Sequence, residues 1–189
     1  MELWMWIAIA AAGVIVCVVL FTSLKKRSSD KRTDRLQGKF GREYDTTVEE
    51  KGRKDAEAEL GKRQERVEAM PLQELTPEEA ERFATLWTAT QARFVDDPGG
   101  AMTDADRLVA DVMRARGYPV GDFEQRAADV SVDHPQVVAN YRAAHNIAAR
   151  HSRAEATTEE LRQAMVHYRA LFTDLLQTAA PAPHKAAVR

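Results

Sequence analysis

Residues 76–94 read TPEEAERFATLWTATQARF, and this stretch carries the clearest fold signal in the chain. It opens with a capping box, because Thr76 is followed three positions later by Glu79, and that pairing marks the start of a helix. Side chains suited to a buried face then recur at helical spacing, at Phe83, Trp87, Thr90 and Phe94. The stretch therefore predicts an amphipathic helix that packs one face against other elements.

Signals of the same kind continue as far as residue 177. Further helix starts are indicated by Asp97 before Pro98, Asp122 with Gln125, Asp133 with Gln136, and Thr157 with Glu160. A helix end is indicated by Gly117, Tyr118 and Pro119. No alternating run bounded by turns predicts a strand. Residues 76–177 therefore predict an all-α domain, most simply a compact four- to five-helix bundle. Residues 178–189, with two prolines among alanines, predict a disordered tail.

The N-terminal segment is long and apolar. Residues 3–24 contain no charged side chain, and a helix of this length measures about 33 Å, enough to cross a hydrocarbon core of about 30 Å. The alternative is a cleavable signal peptide, which would release a secreted helical protein. Glu2 is the only charged side chain before the run, and the small residues lie in the middle of the run, which favours an uncleaved transmembrane helix.

A cluster of cations follows the apolar run. Lys25, Lys26 and Arg27 come directly after it, and residues 25–42 hold eight cations against two carboxylates. The positive-inside rule predicts a single-pass protein of the inner membrane, with its N-terminus outside and its C-terminal domain cytoplasmic. The first three cations are also candidates for contact with lipid headgroups of the bilayer. Residues 1–27 are thus interpreted as a transmembrane anchor with a basic flank.

Residues 28–75 are polar and carry an apolar stripe. Its members lie mostly four positions apart, at Leu36, Phe40, Tyr44, Val48, Ala56, Leu60 and Val67. Such a stripe winds around a straight helix and makes no heptad seam. Glycines at positions 38, 41, 52 and 61 weaken a helix interior. With charges of both signs interspersed, the segment predicts a solvated, interrupted helical stalk and linker that holds the next domain away from the membrane.

Composition excludes several classes of protein. The single cysteine, Cys17, can form neither an intramolecular disulfide nor a cysteine-based zinc site. The net charge of −2, and the excess of carboxylates over arginines in residues 76–177, argue against binding to nucleic acid. The sequence has no glycine-rich phosphate loop, no His-Glu-x-x-His motif and no Gly-x-Ser-x-Gly elbow. It therefore predicts no catalytic residue, no cofactor and no metal.

A small group of polar residues is the best candidate for a pocket. Tyr141 and His145 lie four positions apart and share a helix face, Arg142 is their neighbour, and Asp133 lies at the predicted start of that helix. Titratable groups that converge between helices are a common basis for a ligand or acid–base site.

Several motifs of the chain resemble those of a bacterial protein family. They are Arg93-Phe94-Val95-Asp96-Asp97-Pro98, Ala105-Asp106-Arg107-Leu108-Val109, Arg116-Gly117-Tyr118-Pro119, Phe123-Glu124, Ser131-Val132-Asp133-His134-Pro135 and, near the membrane, Phe40-Gly41-Arg42-Glu43-Tyr44-Asp45. The family comprises uncharacterised proteins with one N-terminal membrane segment and a helical cytoplasmic domain. The resemblance covers most of the chain and implies a bacterial inner-membrane setting, but it implies no activity and no site residue.

Two functions of different classes follow from these observations. The first is a membrane-anchored interaction module, an adaptor or scaffold, in which the helical domain binds a protein partner or a second copy of itself. The second is a ligand sensor or an enzyme with a site between helices, built on Asp133, Tyr141, Arg142 and His145. A third hypothesis is a secreted helical protein, which would require cleavage within the apolar run.

Overall fold

The computed structural model describes residues 30–177, and this part of the chain is helical apart from short connections. It contains eight helices and no strand within those residues, so the all-α prediction is confirmed there. The helices are α1 over residues 30–40, α2 Arg42–Lys51, α3 Arg53–Glu68, α4 Pro77–Arg93, α5 Pro98–Ala115, α6 Phe123–Asp133, α7 Pro135–His151 and α8 Thr158–Gln177.

Four of the five predicted helix starts are confirmed by capping hydrogen bonds. At α4, Glu79 N donates to Thr76 Oγ1 at 3.2 Å and Thr76 N donates to Glu79 Oε2 at 2.9 Å. Oxygens of Asp97, Asp122 and Thr157 also accept from the backbone N–H three residues on.

The predicted start at Asp133 is wrong. Asp133 is the last residue of α6, and α7 begins at Pro135 after His134, with no side-chain cap. Because the chain passes from α6 to α7 through His134 alone, Asp133 is still helical and cannot take the extended conformation of a capping residue.

Helix α8 lies at the centre of the core. Its buried side chains recur at helical spacing, at Leu161, Ala164, Tyr168, Leu171 and Leu175, and it packs between α5 and α7. Helix α4 is held on it by Trp87, whose ring stacks on Phe172 with centroids 4.7 Å apart. Residues 76–177 thus contain four longer helices and one short one, α6.

The apolar stripe of residues 28–75 is buried in the same core. Leu36, Phe40, Leu60 and Val67 are at most 3% exposed and belong to one hydrophobic cluster with the side chains of α4 to α8. This differs from the expected solvated stalk. The reason lies in Gly41 and Gly52, which have φ angles of 51° and 77° and break the segment into short helices. Each short helix can then turn its part of the stripe toward the core.

Helices α1 and α2 are tied to α3 by one carboxylate. Glu57 Oε1 accepts from Thr33 Oγ1 at 2.6 Å and from the Tyr44 hydroxyl at 3.1 Å. The Glu57 carbonyl also accepts from Arg32 Nη2 at 3.0 Å. These bonds fix the three helices as one layer on the bundle.

The predicted anchor at residues 1–27 and the predicted tail at residues 178–189 lie outside the described residues. Within residues 30–177, no helix combines the length and the apolar character that a membrane crossing requires.

Candidate interaction groove

A groove of 580 Å³ runs between the α1–α2 junction and α7. Its floor includes Phe40 and Val138, which are both almost fully buried. Small residues form much of its walls: Gly38 on the α1 side and Ala139 and Ala143 on the α7 side. The groove is therefore apolar at its base and lined by small residues on both sides.

The groove has a cationic rim. Lys39 and Arg42 line it from the α1–α2 side, and Gln136 and Asn146 line it from α7. Arg42 is exposed. The rim thus combines charge with hydrogen-bonding amides around an apolar base.

Beside the groove lies a buried carboxylate with two arginine partners. The side chain of Glu43 is only 4% exposed. It receives two hydrogen bonds from Arg142, at 2.6 and 2.8 Å, and one from Arg63 Nη1 at 2.9 Å. The bonds to Glu43 raise the pKa of Arg142 above its ordinary value. Because Arg63 lies on α3 and Arg142 on α7, this cluster locks α2 against both helices.

On its other side, Glu43 lines a second cleft of 540 Å³. Carboxylates dominate this cleft, at Glu50, Glu59, Asp122 and Glu124. Its cations are already paired within the chain, because Lys51 and Arg63 both bind Glu59. Among the residues that the structure describes, no three His, Cys, Asp or Glu side chains are arranged to hold a metal ion. The cleft is an ion-pair network between helices.

The four residues predicted to form a pocket do not meet in one site. Arg142 lines the groove and binds Glu43. Asp133 accepts a hydrogen bond from the Tyr118 hydroxyl at 2.9 Å, at the end of α6. Tyr141 and His145 both pack on Phe123, with ring centroids 4.9 and 3.6 Å apart. An enzyme or sensor built on these four side chains would need them to converge, so this arrangement does not favour that alternative.

Tyr141 is fully buried in the core, and His145 lies at the edge of the core. Burial lowers the pKa of His145 and raises the pKa of Tyr141. The Tyr141 hydroxyl is buried without a hydrogen-bond partner among residues 30–177. The neighbouring Tyr168 donates to Asp106 at 3.1 Å. These side chains pack and bond within the fold, and they line neither the groove nor the second cleft.

Several important polar residues were not predicted from the sequence. Glu43 is one, although it lies seven positions after Leu36 and three after Phe40 and therefore on the apolar face, which is the signal for a buried charge. Two others, His134 and Arg116, contact the end of α8. His134 Nδ1 is 2.5 Å from Asp174 Oδ2. Arg116 donates to the Leu175 carbonyl at 2.8 Å. Both are essentially unexposed, and each pairing spans at least 40 positions of the chain.

The residues that the structure describes form an all-α fold with an open groove between the α1–α2 junction and α7. Comparison with protein-family models, with curated proteins and with solved structures gives no match to this chain. The family resemblance of the sequence motifs stays a prediction, as do the contacts of Lys25, Lys26 and Arg27 with lipid, since these residues lie outside the described range.

Proposed function

We propose that the protein is a membrane-anchored helical interaction module. Residues 3–24 span the bacterial inner membrane once, with the N-terminus outside, and the helical part is cytoplasmic. The groove between the α1–α2 junction and α7 receives a helix of a partner protein. The anchor raises the local concentration of the module near partners at the membrane, which strengthens binding without any reactive site.

The observation that carries this proposal is Gly38. It lies inside α1, where glycine costs about 1 kcal/mol relative to alanine. A Cβ atom built at Gly38 meets no atom within 4 Å, so the packing of this chain does not require a glycine there. A glycine at this position would instead favour a second helix lying in the groove, because small residues allow two helix backbones to approach closely.

The dimensions of the groove support a helical partner. The α7 wall runs from Pro135 to Asn146, which is about 16 Å at about 1.5 Å per residue, or three helical turns. Ala139 and Ala143 lie four positions apart on this wall, opposite Gly38. A helix with a small or apolar stripe therefore has a complementary surface on both sides.

The test is photo-crosslinking of the full chain in native membranes. A photoreactive residue at Ala139 in the groove should yield one defined crosslinked partner, whereas the same residue at Ala84, on the exposed face of α4, should not. Gly38→Leu fills the groove and should abolish the product. Gly121→Leu is the matched control, because a Cβ at Gly121 also meets no atom within 4 Å and Gly121 does not line the groove.

Circular dichroism of both leucine variants establishes that they fold. A product that persists in the Gly38→Leu variant, or that forms equally from position 84, would contradict the groove as the binding site.

A further inference from the structure

Helix α1 presents a row of cations to solvent. Lys31, Arg35 and Lys39 lie four positions apart, so they share one face of the helix. Leu36 and Phe40 are buried in the core, and this packing turns Lys31 and Arg35 outward, while Lys39, three positions from Leu36, lies at the edge of the exposed face. Lys31 and Arg35 are exposed, and the side chain of Lys39 is 31% exposed.

Within residues 30–177, these cations and the neighbouring Arg42 have few carboxylates close by. Among the described residues, no Asp or Glu lies within 4.0 Å of Lys31, Arg35 or Arg42, and Lys39 reaches only Glu68, at 4.0 Å. Arginines of α3 and α7 behave differently: Arg63, Arg66 and Arg142 each bind a carboxylate at 2.9 Å or less. Asp30 and Asp34 lie on the same helix but form no ion pair with these cations. The cations of α1 can therefore interact with an anionic surface outside the described part of the chain.

The remainder of the described chain has the opposite charge. Residues 43–177 carry 17 Lys and Arg against 26 Asp and Glu. An anionic surface attracts α1 and repels this larger acidic body, so the charge distribution favours one orientation of the protein. The cytoplasmic leaflet of a membrane, which carries anionic lipids, is such a surface.

We propose that the exposed face of α1, formed by Lys31, Arg35 and Lys39 together with Arg42, lies flat against anionic lipid headgroups. This inference rests on the membrane anchor of the proposed function. If α1 instead continued straight out from the membrane, Lys39 would lie about 22 Å beyond Leu24, farther than the screening length of about 8 Å at physiological salt. Lying flat, α1 brings its wall of the groove to the membrane surface.

Lysine labelling of the wild-type full chain tests this orientation directly. The protein is reconstituted in nanodiscs of phosphatidylcholine alone and in nanodiscs that also contain phosphatidylglycerol, and acetylation of each lysine is followed by mass spectrometry. Lys54 and Lys62 are exposed lysines of α3 and serve as internal controls. We expect Lys31 and Lys39 to react several-fold more slowly when phosphatidylglycerol is present and to regain their reactivity at high salt, while Lys54 and Lys62 stay unchanged.

Charge reversal gives the second arm of the test. Arg35→Glu should remove the protection of Lys31 and Lys39. Arg107→Glu is the matched control, because Arg107 is a residue of α5 that also has no carboxylate within 4.0 Å among the described residues. Equal labelling in both kinds of nanodisc, or equal slowing of all four lysines, overturns the proposal.

The anchor is tested separately by size-exclusion chromatography in high salt. Protein that leaves the nanodiscs contradicts the anchor itself. Protein that stays with them but shows no lipid-dependent protection contradicts only the flat orientation of α1.

Discussion

Glu43 is a carboxylate almost removed from water, and its charge is balanced by Arg63 and Arg142 on two other helices. Removing Glu43 leaves Arg142 without its carboxylate partner, whereas Arg63 keeps Glu59, and a largely buried donor left without its partner typically costs about 1–3 kcal/mol. We therefore expect Glu43→Ala to lower the free energy of unfolding by about that amount in urea titrations.

Glu49→Ala is the control for this change. Glu49 lies on the same helix but is exposed, so its removal should alter stability by no more than about 0.5 kcal/mol. If the two substitutions lower the free energy of unfolding equally, the ion pairs of Glu43 do not stabilise the fold.

His145 makes stability depend on pH. Burial, with the ring stacked on Phe123, lowers its pKa, whereas in the unfolded chain the pKa is about 6.5. The unfolded state therefore binds the proton more readily, and the contribution of the neutral ring is present above about pH 6.5 and lost as the pH falls toward the folded-state pKa.

We expect His145→Gln to remove this part of the pH dependence. Urea unfolding of both proteins at about pH 7.5 and 5.5 should show a smaller loss of stability for the variant. Parallel losses in the two proteins would mean that the folded environment does not shift the titration of His145.

At the scale of single helices, Gly38 and Gly41 give opposite predictions although they are close in sequence. Gly38 is helical and has open space around it, so Gly38→Ala should stabilise the fold by about 0.5–1 kcal/mol. Gly41 has a φ of 51° and a ψ of −125°, a region that essentially only glycine occupies. Gly41→Ala should therefore destabilise by about 1–3 kcal/mol. Thermal unfolding followed by circular dichroism measures both changes, and shifts of the same sign would mean that backbone conformation does not distinguish the two glycines.

Local chemistry explains why most helices were predictable from the sequence. A capping box such as Thr76 with Glu79 involves residues three positions apart, so the sequence displays the whole motif. The failure at Asp133 has a long-range cause. Its carboxylate is bound by Tyr118, 15 positions earlier, and α6 extends to the residue before His134.

The candidate site was less predictable for the same reason. Tyr141 and His145 were correctly placed on one helix face, but their partner there is Phe123 of α6. The sequence indicates Arg142 as a candidate, but it does not show that Arg142 binds Glu43, 99 positions away. Periodicity indicates which side of a helix is buried and does not indicate what covers it.

For the whole molecule, the burial of α1–α3 predicts that residues 76–177 depend on the preceding helices. Each large apolar side chain buried on folding contributes about 1.5–3 kcal/mol, and Leu36, Phe40, Leu60 and Val67 belong to the common core. A fragment of residues 76–177 should therefore be several kcal/mol less stable in urea than a chain that starts at Ser28, and it should bind a hydrophobic dye. Equal stability of the two chains would restore residue 76 as the boundary of an independent domain.

The stacking of Trp87 on Phe172 has a practical optical consequence. The other two tryptophans, Trp4 and Trp6, lie in the apolar run at the N-terminus, so a chain that starts at Ser28 contains a single indole chromophore. That chromophore is 5% exposed and sits between α4 and α8. Its fluorescence therefore reports the separation of these two helices without any added label. A change in emission on partner binding would show that the packing of α4 on α8 has changed.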